Sequence, residues 1–340
     1  MRKLLNTLYI TTPESYIYKD GQNIVISVDQ KEKFRIPSIN VESIVTFGYM
    51  GASPGVMKLC AESGISLTFL SPSGRFLSRV QGQVRGNVLL RKAQYALSDD
   101  ESVSVDLTKT FIAGKIQNYR SVLKRFERDY GDDEEIEAAI SEMDYAKRNI
   151  LECVEKGAIR GLEGNAAALY FSVFPKLIIN QKEDFPFSGR NRRPPKDAVN
   201  AMLSFAYTLL TNDITAALET VGLDPYVGFF HTLRPGRTSL SLDIVEELRA
   251  YMGDRFVLSL INRKQISKND FLYQGDGSCI LTEAGRKTFL TAWQTRKKET
   301  ITHPFLQEKI PVGLIPYAQA QLLARCIRGD LDSYPVFLIK

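Results

Sequence analysis

The sequence predicts an α+β fold, with a small β-rich N-terminal domain over residues 1–84 and a larger all-α-helical domain over residues 85–340. Three observations predict it. Short runs rich in Ile, Val, Phe, Tyr and Thr crowd the first part of the chain. Apolar residues at helical spacing take over after Gly86. A length of 340 residues exceeds what one domain usually holds.

Strands are expected over Leu4 to Ile10, Asn23 to Val28, Lys33 to Ile36, Ser43 to Phe47 and Ile65 to Leu70. Asp20-Gly21 within Lys19-Asp20-Gly21-Gln22 carries the chemistry of a tight hairpin turn. One helix interrupts the strands: Ser53 can cap it, Pro54 suits its first turn and Gly64 stops it. Ser71-Pro72-Ser73-Gly74 then turns into a last strand, Arg75 to Val80.

The boundary falls near residues 82–90. Asn87 to Leu97 reads as a helix, as does Phe111 to Tyr130, with a stripe of Phe111, Ile112, Ile116, Tyr119, Val122, Leu123 and Phe126. Glu134 to Lys156 follows as one helix, its opening acids meeting the positive end of the helix dipole. Helices broken by Pro- and Gly-bearing loops run to the C-terminus, without internal repeats or low-complexity tracts.

Composition narrows the classes. The chain is 44% hydrophobic and 24% charged, with a net charge of +5, which suits a polyanionic partner without demanding one. Cys60, Cys153, Cys279 and Cys326 form no CxxC pair, so neither a zinc site nor a disulfide frame is expected, and a reducing cytoplasm is the expected compartment. No apolar run is long enough for a bilayer, and Leu4-Leu5-Asn6-Thr7 does not continue as a signal-peptide core, so a soluble protein without membrane association is expected.

There are two histidines, His231 and His303. His303 precedes a proline and reads as a loop or packing residue. His231 has richer company: twelve residues on, Asp243 and Glu246 share one helical face, while Leu242, Val245 and Leu248 supply a docking face. The basic turn Leu233 to Arg237 can bring His231 back toward the acids. Glu163 lies among Gly161, Gly164 and alanines, which permit close approach of a chain or ligand. One imidazole with two or three carboxylates suits Mg²⁺ or Mn²⁺. On spacing alone the alternative stays open: a solvated helix face at Asp243 and Glu246, a capping acid at Glu163 and a satisfied core histidine at His231.

Basic clusters at Arg79, Arg85, Arg91 and Lys92, at Arg190, Arg192, Arg193 and Lys196, and at Arg296 to Lys298 suggest a phosphate-tracking surface. Tyr170 and Tyr207 could stack on splayed bases, but on pattern alone core packing is the expected role of each.

Ordered blocks along nearly the whole chain resemble the CRISPR-associated integrase family, the first and most general Cas protein of spacer acquisition. They include Thr46-Phe47-Gly48, Gly51-Ala52-Ser53-Pro54, Phe69 to Phe76, Val84 to Arg91, Arg160-Gly161-Leu162-Glu163-Gly164 and Phe187 to Pro195. Asn200 to Tyr207, Val227 to His231 and Ser239 to Glu246 continue the match, and the wording is most similar to the subtype I-C branch. The resemblance implies metal ligands at Glu163, His231 and Glu246, with Asp243 as a supporting catalytic acid. It implies transesterification, in which the 3′-hydroxyl of a short foreign duplex attacks a CRISPR repeat, and DNA cutting when water replaces the hydroxyl. It also implies a homodimer that binds double-stranded DNA together with a small ferredoxin-like Cas partner. Arg249, one turn past Glu246, is placed to hold a phosphate oxygen, and Tyr207 to position a strand. Two alternatives remain, a catalytically silent DNA-binding scaffold and a branched-DNA repair nuclease.

Overall fold

The computed structural model describes residues 6–339 apart from residues 49, 73, 81, 83–87 and 192–193. The chain folds as two compact units, one of residues 1–85, 281–299 and 312–314, the other of the remainder.

Two four-stranded sheets build the first unit. In one, β1 (Thr7–Ile10), β5 (Ser43–Phe47) and β7 (Ser66–Leu70) run parallel, and β8 (Phe76–Val80) is antiparallel to β7. In the other, β4 (Lys31–Pro37), β3 (Asn23–Val28) and β2 (Tyr16–Asp20) form an antiparallel meander, and the two-residue β6 (Gly51–Ala52) lies parallel to β2. Asp20 pairs with Asn23 across the hairpin, and Gly21 takes the positive φ (57°) that the turn requires. Helix α1 (Pro54–Ser63) begins where Ser53 Oγ accepts from Val56 N at 3.2 Å and ends at left-handed Gly64. Ile17, Ile24, Ile44, Val56, Leu59 and Leu67 are among the buried core residues of this unit.

The first unit also takes a helix from late in the chain, α9 (Glu283–Lys298), which the sequence reading leaves with the helical part. Trp293 and Phe289 on it are buried, and Arg286 donates to the Pro72 carbonyl while facing the Phe47 ring.

The second unit contains α2 (Val88–Asp99), α3 (Glu101–Tyr130), α4 (Glu134–Glu152), α5 (Lys156–Val173), α6 (Ala198–Val221), α7 (Ser239–Leu248), α8 (Arg255–Asn262) and α10 (Ile315–Ile327). Helix α3 packs against α4, α5 and α7, and α6 packs against α7 and α10. A π-helical turn, Arg249–Asp254, joins α7 to α8. Such wide turns are frequent at functional sites.

Three expectations change. The helix read as starting at Phe111 begins ten residues earlier, at Glu101, where Asp100 Oδ1 accepts from Ser102 N and Val103 N. Its first turns are rich in Ser, Thr and Val, which weaken the helical signal. The single helix read over Glu134 to Lys156 is two: Cys153 leaves the helical region (ψ 143°), Val154 is 82% exposed and α5 starts at Lys156. The helical part is also not all α. Hairpins β9–β10 (Phe271–Tyr273, Cys279–Leu281) and β11–β12 (Thr300–Thr302, Lys309–Pro311) lie late in the chain, the first turning through left-handed Gly277. Among the described residues, no helix is long and apolar enough to cross a membrane.

Candidate active site

Helix α7 carries the acids, and nine of its ten residues are buried. Its first turn is held from outside, with Leu240 N and Ser241 N donating to the Pro225 carbonyl and Ser241 Oγ bonded to Thr215 Oγ1 at 2.9 Å. Asp243 is fully buried and accepts four hydrogen bonds. Phe229 N (2.6 Å) and Phe230 N (3.1 Å) reach Oδ2; His231 N (2.9 Å) and His231 Nδ1 (2.7 Å) reach Oδ1. One carboxylate therefore folds the loop 229–231 over α7 and orients the imidazole. With its Nδ1 proton spent on Asp243, the ring presents the Nε2 lone pair outward.

His231 Nε2 stands 3.9 Å from Glu246 Oε1. Glu246 is 4% exposed. Burial pushes its carboxyl up, but the charges of Arg249 and Lys115 outweigh that and bring it down to about 2. Arg249 Nη2 donates to Oε1 at 2.6 Å. Glu163 projects from α5 with its side chain 19% exposed. Added Cβ atoms at Gly161 and Gly164 would meet nothing within 4 Å, so no other segment of the described chain packs closely over those glycines.

Sequence reasoning missed one residue here. Lys115 of α3, its side chain 1% exposed, donates to Glu163 Oε1 and lies 2.7 Å from Glu246 Oε2. The contact to the buried Oε2 is a close ion pair, and Arg249 takes the other oxygen of the same carboxylate. Burial alone would lower the Lys115 pKa; the carboxylates prevail and raise it. The available signal was a lysine on the apolar stripe, four residues from both Phe111 and Tyr119.

Beside these groups lies a cleft of about 340 Å³ lined by Arg160, Glu163, Phe230, His231, Thr232, Arg234 and Arg237. Arg160 donates to the Phe230 carbonyl at 3.1 Å and faces the Phe230 ring. Three guanidinium groups around one carboxylate and one imidazole make a pocket suited to an anion that approaches an acid–histidine pair.

The other sequence candidates are dispersed or engaged. Tyr207 is sandwiched between the guanidinium groups of Arg190 and Arg249, 5.4 and 5.0 Å from its centroid, and its hydroxyl donates to buried Asp254. Arg190 is bound to Asn200 Oδ1 (2.6 Å) and Ser204 Oγ (3.0 Å). Arg91 stands on α2 and makes no hydrogen bond or ion pair to any of these groups. Arg85, Arg192 and Arg193 lie outside the described residues. Tyr170 is fully buried and stacked on Tyr119 at 3.8 Å, which is core packing. His303 is also fully buried; its Nε2 bonds Gln319 Oε1 and its Nδ1 accepts from Phe305 N and Leu306 N.

Comparison with known proteins gives the family of the chain. Residues 8–295 match the family model described as CRISPR associated protein Cas1. The chain belongs to the Cas1 family. It is 50% identical to the CRISPR-associated endonuclease Cas1 2 of Rhodospirillum rubrum over the full length of both chains. Its fold is similar to that of a casposase bound to integration product, with a TM-score of 0.83 at 21% identity over 96% of this chain and 92% of that one. It is also similar to a chain of a Cas6-RT-Cas1–Cas2 complex, with a TM-score of 0.84 at 22% identity over 100% of this chain and 37% of that one.

The donor types of these side chains suit a hard divalent cation. Two carboxylates and an imidazole with an oriented Nε2 are present, and the buried Glu246 Oε2 meets a lysine ammonium. Among the described residues, no three His, Cys, Asp or Glu side chains converge closely enough to hold an ion. The Lys115 ammonium stands between two of the three.

Proposed function

We propose that this chain is the divalent-metal-dependent integrase and DNA endonuclease of CRISPR spacer acquisition. It joins the 3′-hydroxyl of a short foreign duplex to the edge of a CRISPR repeat. The observation that carries the reading is His231, fixed by Asp243 with Nε2 turned toward Glu246, beside an arginine-lined cleft in a Cas1 family chain. In the reaction a 3′-oxygen bonds to a backbone phosphorus as the opposite 3′-oxygen leaves in line. The number of phosphodiester bonds is conserved, so no nucleotide is consumed. Water in place of the hydroxyl gives cutting.

Glu163, His231 and Glu246 are the proposed ligands of Mg²⁺ or Mn²⁺. The ion supplies Lewis-acid stabilisation of the phosphoryl oxygens and lowers the pKa of the attacking hydroxyl. Asp243 holds the His231 tautomer and ring plane. Arg160, Arg234 and Arg237 seat a phosphate by charge. Arg249 restrains Glu246 and, with Tyr207, supports the wall of the site. Arg85, Arg91, Arg190, Arg192 and Arg193 are the proposed track for the flanking DNA. The subtype I-C branch, a homodimer and a small ferredoxin-like Cas partner complete the reading. It is supported by the ordered sequence blocks and by the likeness in fold to a casposase bound to integration product and to a chain of a Cas1–Cas2 complex. The protein works in the cytoplasm, where a CRISPR array is accessible.

The test mixes purified protein, the small partner, a labelled short duplex with free 3′ ends and a plasmid carrying a repeat. Joined product in Mg²⁺ or Mn²⁺, lost on Glu163→Ala and on His231→Ala, is expected. Undiminished joining in both variants overturns the assignment.

A further inference from the structure

Lysine is rarely buried unless paired, and Lys115 is among the most enclosed side chains in the molecule. It lies between two acids from different helices, Glu163 on α5 and Glu246 on α7. The two acids are not equivalent. Glu246 has a second cation, Arg249, on its other oxygen, whereas among the described residues the one hydrogen bond or ion pair that Glu163 makes is to Lys115. Glu163, Glu246, Lys115 and Arg249 sum to zero charge. A divalent ion added with the ammonium in place would set four positive charges against two negative ones in a buried site.

We propose that Lys115 is a resident cation that competes with the divalent ion for the same two carboxylates, so that the ion binds only as the ammonium withdraws. The inference rests on the metal reading given above. Three features suit Lys115 to the role. An ammonium is a point charge on a flexible four-carbon stem and can retreat without breaking a planar fork such as that of Arg249. Its partner on α7, Glu246 Oε2 at 2.7 Å, takes no contact from Arg249, which holds Oε1 instead, so withdrawal of the ammonium frees that oxygen. The Tyr119 ring, with its centroid 5.5 Å from Nζ, offers a second electrostatic partner. In the metal-free protein the ammonium prevents repulsion between the carboxylates. It also lowers apparent metal affinity by the fraction of molecules in which it is withdrawn.

The test is calorimetric titration of Mn²⁺ into the full chain and its Lys115→Met, Lys115→Arg and Glu163→Ala variants. Lys115→Met, which keeps the stem and removes the charge, is expected to bind Mn²⁺ about tenfold tighter than wild type. Lys115→Arg is expected to bind no tighter than wild type, and Glu163→Ala to lose binding. In thermal unfolding, Lys115→Met loses stability in EDTA and regains more on Mn²⁺ addition than wild type does. A folded Lys115→Met protein with unchanged or weaker Mn²⁺ affinity overturns the proposal, while loss of binding in Glu163→Ala would still uphold the metal reading. Mn²⁺ binding by neither wild type nor Lys115→Met overturns both. Should Lys115→Met not fold, wild-type crystals grown with and without Mn²⁺ decide. Nζ is expected to leave both carboxylates when the ion is bound, and an ion bound with Nζ still between them refutes the competition.

Discussion

Asp243→Asn is the most discriminating single change, because it alters one atom of a side chain that performs two tasks. Oδ2 receives the amides of Phe229 and Phe230; Oδ1 receives the amide of His231 and its ring Nδ1. Asparagine offers one acceptor oxygen, so whichever way the amide turns, its NH₂ faces two donors. A hydrogen bond to a charged group is worth about 1.5–3 kcal/mol, so the cost is about 2 kcal/mol if the ring changes tautomer and about 4 kcal/mol if two amides are orphaned. For a helical unit of this size that lowers Tm by about 5–10 °C. If NH₂ faces His231, the ring must accept at Nδ1 and carry its proton on Nε2, which removes the lone pair proposed for the metal. If NH₂ faces Phe229 and Phe230, the loop carrying His231 loosens instead. Thermal unfolding in EDTA combined with Mn²⁺ calorimetry reads both costs. A Tm within about 2 °C of wild type together with unchanged Mn²⁺ affinity would refute the reasoning.

Other sites give sharp expectations. At Gly228 an added Cβ would fall 2.5 Å from Asp243 Oδ2 and 2.7 Å from the Ser239 backbone, so Gly228→Ala is expected to cost about 3 kcal/mol, read by urea unfolding, and to weaken Mn²⁺ binding alongside. Fully buried Asn118 donates to the carbonyls of Glu247 and Phe337 and accepts from Ile339 N. Asn118→Ala should cost about 3 kcal/mol and expose residues beyond Tyr334 to limited proteolysis. At Asp254, burial raises the carboxyl to about 6 against the opposing hydrogen bond from Tyr207 and the charge of Arg249. Its folded pKa lies above the unfolded value, so its contribution is complete below that value and is lost as pH rises through the folded one. Asp254→Asn removes this loss. The stability of wild type relative to the variant should fall by about 3 kcal/mol from roughly pH 3 to pH 7, and parallel pH curves would contradict the assignment.

The parts of the fold legible in the sequence were those with local causes. Ser53, Pro54 and Gly64 bound α1 because each acts on the backbone beside it. Asp20-Gly21 marks its hairpin for the same reason. What escaped notice depended on distant partners. The start of α3 is poor in strong helix formers and is buried by its neighbours instead, Ser104 and Thr108 being fully enclosed. Nothing local says that α9 belongs with the β-sheets: Trp293 and Phe289 read as helix residues wherever they pack. The two late hairpins have strands of three residues each, too short for alternation to show.

The candidate site divides along the same line. A spacing of three residues puts Asp243 and Glu246 on one face of α7, and that much is local. It cannot rank them, because the two acids differ in what the rest of the chain brings to them. Asp243 meets the amides of a loop 12 to 14 residues away and is saturated with donors. Glu246 meets cations from α3 and from the next turn, one on each oxygen. A carboxylate whose acceptor sites are filled by fixed N–H groups serves as a structural anchor. One balanced by an ammonium on a flexible stem can exchange partners, and exchange is what reversible binding of an ion requires. Lys115 thus separates the supporting acid from the proposed ligand. Its place on the apolar stripe of α3 is the single trace of that role in the sequence, since a charge repeated at core spacing must find its counter-charge inside the fold.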